Sequence, residues 1–313
     1  MITDHEVTRR RFLGNAALAG AAAAVLPVAR GRAEQQASPA AGWRIGFFTR
    51  PWDQYDYRAA LDAIVEAGSR HAGLMTTNSP SHLVISVQTT PDEAHAVADE
   101  CRQRSLTIPS VYGGHFPVEQ SLEAGIDGLK TLIDHCATVG AEDLMLGGVG
   151  DPAIQGPYYE AVAACCDYAA EKGVGISVKP HGGLNATGPQ CRAIIEGVGC
   201  KNFRLWYDPG NIFYYSDGQL DPVDDAATVD GLVVGMSVKD FRLPKDVMVT
   251  PGTGQVDFVK VLSRLRQGGF STGALLVECL APGELPQLLE EARKARVFLE
   301  EIVARLTLPG KVD

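Results

Sequence analysis

Short apolar runs alternate with longer amphipathic stretches from Trp43 to the end of the chain. The first run, 43–49, predicts a strand, and 55–67 predicts a helix with Ala60, Ile64 and Ala67 on one face. Further strands are expected at 71–76, 107–112 and 143–147. Between them, Thr90-Pro91-Asp92-Glu93 opens a helix: Thr90 can accept from the free N–H groups of the first turn, and Pro91 stands where no N–H is needed. Another helix, 118–139, ends near Gly140. The second half repeats the rhythm: helix 158–172 closed by Gly173, strand 175–179, a short helix 189–198, strand 203–207, helix 222–229, strand 233–239, helix 258–267, strand 274–278 and a charged amphipathic helix at 284–305.

Eight strand–helix units with no second compositional zone predict one α/β domain over 43–313, closed as a (β/α)8 TIM barrel. An open doubly wound sheet is the competing arrangement, but no G-x-G-x-x-G follows the first strand, which argues against a dinucleotide-binding version. In such barrels the chemistry sits at the C-terminal ends of the strands. Four neighbouring ends are polar: Ser177-Val178-Lys179-Pro180-His181-Gly182-Gly183, Trp206-Tyr207-Asp208-Pro209-Gly210-Asn211, Ser237-Val238-Lys239-Asp240 and Val277-Glu278-Cys279. An apolar strand that stops at an ionisable residue places it at the barrel mouth. Lys179, Asp208, Lys239 and Glu278 are therefore the candidate catalytic groups, with His181, Asn211, Ser237 and Asp240 as candidate substrate-binding groups. Trp52, Tyr112, Tyr158, Tyr207 and Tyr214 offer flat surfaces for a sugar ring, although core packing is the default for each.

These segments, together with Pro-Gly-Thr-Gly-Gln-Val-Asp-Phe at 251–258, resemble the second half of the sugar phosphate isomerase/epimerase superfamily, the xylose isomerase-like barrels. The resemblance implies a small sugar or sugar derivative as partner. It also implies a divalent metal held by a Glu ending strand five, an Asp ending strand six, a His ending strand seven and a Glu ending strand eight. Asp208 and Glu278 match; Lys179 stands for the first Glu, and Ser237 stands about where the His is expected. An ammonium at that place repels a divalent ion and pairs with the two carboxylates, so it can polarise a carbonyl in the metal's stead, act as a base if desolvated, or form a Schiff base. The alternative is a single metal held by His181, Asp208 and Glu278. The expected activity is isomerisation or epimerisation by proton transfer next to a carbonyl. Its alternatives are a keto-sugar or keto-glycoside lyase or hydratase, and a non-catalytic sugar-binding barrel.

Of the 313 residues, 45% are hydrophobic and 21% charged, an ordinary globular composition. Residues 1–33 hold five arginines against Asp4 and Glu6, so this segment is +3 and the remainder stands at −13 within the overall −10. So acidic a balance argues against nucleic acid as a partner, since phosphate binding needs a basic face. Thr8-Arg9-Arg10-Arg11-Phe12-Leu13-Gly14, the small and apolar run from Asn15 to Val28, and Gly31-Arg32-Ala33 resemble a twin-arginine signal. The resemblance implies the twin-arginine export machinery as a partner and a periplasmic or extracellular location. The apolar run is short for a stable membrane span, and residues 34–42 read as a linker. Seven cysteines, an odd number without metal-ligand spacing, read as small buried hydrophobes.

Overall fold

The computed structural model describes residues 42–307; residues 1–33, where a twin-arginine signal is expected, and all of the expected linker except Gly42 lie outside them. The strands are β1 (Trp43–Phe48), β2 (Ala72–Gly73), β3 (Val111–Tyr112), β4 (Asp143–Leu146), β5 (Gly175–Val178), β6 (Phe203–Tyr207), β7 (Val233–Val238) and β8 (Gly273–Val277). All pair in parallel, in the order β2-β1-β8-β7-β6-β5-β4-β3. Two parallel bridges, His71 to Thr107 and Leu74 to Val111, join the outer strands and close the barrel. The Ala72 and Tyr112 amides carry this seam, donating to Thr107 O at 3.0 Å and Leu74 O at 2.8 Å. The expected (β/α)8 fold is therefore the one observed.

Helices α1 (Tyr57–Glu66), α2 (Pro91–Gln103), α3 (Leu122–Val139), α4 (Pro152–Glu171), α5 (Gly188–Val198), α6 (Pro209–Tyr215), α7 (Pro222–Ala226), α8 (Phe258–Gln267) and α9 (Leu285–Thr307) follow the strands. Thr90 caps α2 through a reciprocal pair with Glu93, as its sequence predicts. Helix α4 starts six residues earlier than expected, at Pro152 after the Asp151 cap, and carries Pro157 within it. The ring there costs one early ladder bond, which the packing of α4 on α3 and α5 outweighs. Strands β2 and β3 are shorter than expected because the ladder is broken into isolated bridges, at His71 and Leu74 around β2 and at Thr107 and Ile108 before β3.

The large core lies between barrel and helices, where parallel strands bury both faces. Inside the barrel Phe48, Met75, Met145, Trp206, Ala274 and Leu276 form a second packed layer. This layer matters for the site because it is the floor beneath it. Two residues further along four of the strands, alternation puts the next inward side chains at Arg50, Asp208 and Glu278 after Phe48, Trp206 and Leu276, and at Lys239 above Ser237. The seven cysteines are free thiols; six are buried and Cys200 is half-buried. Among the described residues no helix is long and apolar enough to cross a membrane.

Candidate functional site

A cavity of about 300 Å³ opens above this floor, lined among others by Arg50, Thr76, Tyr112, Lys179, His181 and Tyr215. Its base is a cluster of ionised groups from five strand ends. Lys179 Nζ lies 2.9 Å from Asp208 Oδ2 and 2.6 Å from Glu278 Oε2. Lys239 Nζ lies 3.1 Å from the same Asp208 oxygen and 2.6 Å from Glu278 Oε1. Each ammonium therefore bridges both carboxylates. Arg50 joins from β1, its Nη1 3.2 Å from Glu278 Oε1 and 2.6 Å from Cys279 Sγ. Burial alone would raise the Glu278 carboxyl, but Lys179, Lys239 and Arg50 hold it well below the usual carboxylate range. Burial would likewise lower Lys239, yet Asp208 and Glu278 outweigh it and keep this side chain firmly an ammonium.

Local structure explains why these groups converge. Asp208 ends β6 and caps α6: its Oδ1 accepts from the Asn211 amide at 2.9 Å while Oδ2 faces the ammoniums. Asn211 then ties two neighbouring strands, accepting from Lys239 Nζ at 2.9 Å and donating from Nδ2 to Pro180 O at 2.6 Å. Gly210 lets Lys239 pass, since a Cβ there would meet Lys239 Cγ at 2.6 Å. Gly182, with φ of 85°, turns the chain after His181, and a Cβ on it would strike the Tyr215 ring at 2.5 Å. His181 stands exposed at the mouth between Tyr112 and Tyr215, with ring centroids 6.3 and 6.0 Å away. Crowding by the cavity walls, then repulsion from Lys179 and Lys239, lowers its imidazole to about 4, so it is neutral at pH 7.

The structure brings Lys179, Asp208, Lys239, Glu278, His181 and Asn211 together and leaves two candidates outside. Ser237 is buried in the barrel interior, its Oγ without a partner among the described residues, and it does not line the cavity. Asp240 faces the other way. Its carboxylate collects the amides of Phe241, Gly252, Gly254 and Val256 at 2.8–3.0 Å and so pins the 250–256 loop. Strand alternation accounts for this, since an inward Lys239 turns its neighbour out. Of the flat surfaces, Tyr112 and Tyr214 line the cavity. Trp52, Tyr158 and Tyr207 are core, and Tyr207 donates to Pro222 O at 2.7 Å. Arg50, Tyr215 and Thr76 were absent from the sequence-based set. Arg50 had a usable signal, because it follows an apolar strand just as Lys179 and Lys239 do.

The donors present do not fit a divalent ion. The inward oxygens of Asp208 and Glu278 already hold ammoniums, and no group of three or more His, Cys, Asp or Glu side chains able to ligate a metal occurs among the described residues. A second cavity, of about 330 Å³, opens at the opposite end of the barrel beside Arg44, Asp143, Arg204 and Trp206. There Asp143 is buried and accepts from Ser177 Oγ at 2.6 Å.

The sequence model of the xylose isomerase-like TIM barrel family matches residues 61–302. Among solved structures, a xylose isomerase domain protein from Planctomyces limnophilus aligns with a TM-score of 0.65 and 18% identity over 84% of this chain and 99% of its own. A D-psicose 3-epimerase from Clostridium cellulolyticum H10, solved with D-tagatose, aligns with a TM-score of 0.64 and 13% identity over 83% and 99%. A 3-keto-D-glucoside 4-epimerase from E. coli gives 0.63 and 14%, over 83% and 99%. At these identities the likeness is one of fold. No curated protein matches the chain in sequence.

Proposed function

Since the chain belongs to the xylose isomerase-like TIM barrel family, we propose that it is a sugar isomerase or epimerase that moves a proton next to a carbonyl, with two lysine ammoniums in place of a metal. The observation that carries this reading is the pair of bridges by which Lys179 and Lys239 each contact both Asp208 and Glu278 at the base of a sugar-sized cavity. A ketose carbonyl directed at the ammoniums is polarised by charges that are already in position. A carboxylate then takes the proton from the adjacent carbon. The electron pair of the C–H bond moves into the new carbon–carbon double bond, and the carbonyl oxygen becomes an enolate oxygen beside an ammonium. Delivery of a proton to the opposite face by a second donor gives an epimer, the first carboxyl then releasing its proton to solvent; return of the abstracted proton to the neighbouring carbon, with the hydroxyl proton passing to the enolate oxygen, gives an aldose–ketose isomer. Glu278 is ionised at neutral pH, as a base must be.

Solved relatives of the fold that carry ketoses or keto-glucosides in their descriptions support this substrate class. Export by the twin-arginine route, part of the same reading, rests on the sequence pattern at 8–14 and makes a free sugar a better fit than a phosphorylated one.

A second reading, a non-catalytic sugar-binding barrel, draws on the same contacts, because both Glu278 oxygens are already occupied by ammoniums. One experiment separates them. The purified full chain, treated with a chelator, is incubated with ketoses and keto-sugars in D2O, and loss of the proton next to the carbonyl is followed by NMR. The proposal expects exchange without metal. Binding without exchange supports the second reading, exchange only on adding a divalent ion refutes metal-free action, and release of a leaving group identifies a lyase working through the same enolate.

A further inference from the structure

Counted in their ionised forms, the charged groups of the cavity do not balance. Arg50, Lys179 and Lys239 supply three positive charges, against two negative charges from Asp208 and Glu278. His181 is neutral at pH 7. Cys279 is a neutral thiol, since burial pushes it up more than Lys239 and Arg50 pull it down. A further acid, Asp53, acts on Arg50 more weakly than Glu278 and Asp208 do, and its carboxylate lies exposed to solvent, accepting from Thr76 Oγ1. Lys245 and Asp217 at the rim neutralise one another. One positive charge is left over, in surroundings where most of the participants are almost fully buried.

Enolisation does not consume this excess. When a carboxylate takes a proton from a neutral sugar, it loses a negative charge and the enolate oxygen gains one. The sum inside the cavity stays at +1 from substrate to intermediate to product. Only a ligand with a permanent negative charge can bring it to zero, and such a ligand does so at every stage.

The excess also has an address. Lys239 spends its three N–H groups on Asp208, Glu278 and Asn211, and Lys179 spends two of its three on the carboxylates, which leaves one for a carbonyl. Arg50 gives only Nη1, to Glu278 and Cys279, and its Nε and Nη2 have no hydrogen-bond partner among the described residues. Its side chain lines the cavity and is 28% exposed, the most accessible of the three cations. A guanidinium edge with two free N–H directions matches a carboxylate better than a hydroxyl.

We propose that the substrate is an acidic sugar, a keto-uronate or keto-aldonate, whose carboxylate is held by Arg50 while its carbonyl lies at Lys179 and Lys239. This rests on the enolising reading for the chemistry, but the binding preference is independent of it. The remaining hydroxyls face Thr76, Tyr112, Tyr215 and the neutral His181, all of which line the cavity or its mouth.

The test compares matched pairs on the full-length protein: 2-ketohexoses against the corresponding keto-uronates, which differ only in the terminal carboxylate. Binding is measured by calorimetry and proton exchange by NMR. The expected result is at least about tenfold tighter binding of the acid, weakening as salt is raised. Arg50→Gln should abolish that preference and Arg50→Lys should keep part of it. Equal binding of acid and neutral sugar by the wild type overturns the proposal and leaves enolisation standing. Tight, salt-sensitive binding of the acid without exchange supports the proposal and removes the enolising reading instead. Should Arg50→Gln fail to fold, the wild-type comparison and its salt dependence decide alone.

Discussion

Replacing Lys179 by Met removes one ammonium and little volume, and its consequences follow from the distances. Glu278 Oε2 loses its 2.6 Å partner and Asp208 Oδ2 its 2.9 Å partner, while Lys239 still bridges both. At an effective dielectric of about 20, two unit charges about 4 Å apart attract by about 4 kcal/mol, and breaking one side of a buried ion pair costs about 3–5 kcal/mol. Part of this is returned, because the cavity's excess positive charge disappears along with its mutual repulsion. A net loss of about 3 kcal/mol is expected, which for a domain of this size lowers Tm on the order of 10 °C. The pH dependence has a definite sign. Glu278 is held below its ordinary range in the folded state, so its stabilisation is complete above the unfolded carboxylate pKa and is lost as pH falls through the folded value. Without Lys179 that folded value rises, and acid unfolding moves to higher pH. Turnover falls about 10²–10³-fold, the scale on which single oxyanion donors act. Denaturant titrations from pH 3 to 8, with proton exchange at pH 7 in chelator, measure both effects. A folded Lys179→Met protein that exchanges protons at the wild-type rate would falsify the role given to the ammonium.

Asp143 tests the far end of the barrel: burial pushes its carboxyl up to about 7, so the stability it contributes is present below the unfolded pKa and lost as pH rises through 7. Asp143→Asn should stabilise the protein at pH 8 relative to pH 5 by on the order of 2–4 kcal/mol, and an identical effect at both pH values in urea titrations counts against the buried charge. Asp240→Ala strips four backbone amides of their acceptor and should cost at least about 3 kcal/mol, read by thermal melting; a loss below about 1 kcal/mol would show that the 250–256 loop holds without it. Replacing Arg9-Arg10-Arg11 with lysines should retain the precursor inside the cell with its barrel folded, and unchanged export on cell fractionation refutes the twin-arginine assignment.

The barrel was legible because a parallel strand buried on both faces writes itself as a short apolar run, and eight such runs at regular intervals leave few topologies. The strand ends were legible for the same reason: Lys179, Asp208, Lys239 and Glu278 each interrupt an apolar run at the same phase. What escaped was information carried by neighbours in space. Helix α6 spans only Pro209–Tyr215, too short to show a helical period, so no helix is predicted there and Tyr215 is not placed at the mouth. Asp240 shares its strand end with Lys239, and proximity in sequence hid the fact that adjacent residues face opposite ways. Ser237 was chosen by register with an expected histidine, yet its side chain lies within the barrel, below Lys239. Arg50 sits one phase beyond Phe48 on β1 and could have been found by applying to the first strand the rule applied to the last four.

The charge cluster draws on both ends of the chain, since Arg50 comes from the first strand and Glu278 from the last. During synthesis the two lysines and Asp208 emerge well before Glu278, so a partial barrel brings together more positive than negative charge and resists closing. Arrival of β8 supplies the carboxylate that touches all three cations. Assembly of the site is thereby tied to completion of the polypeptide.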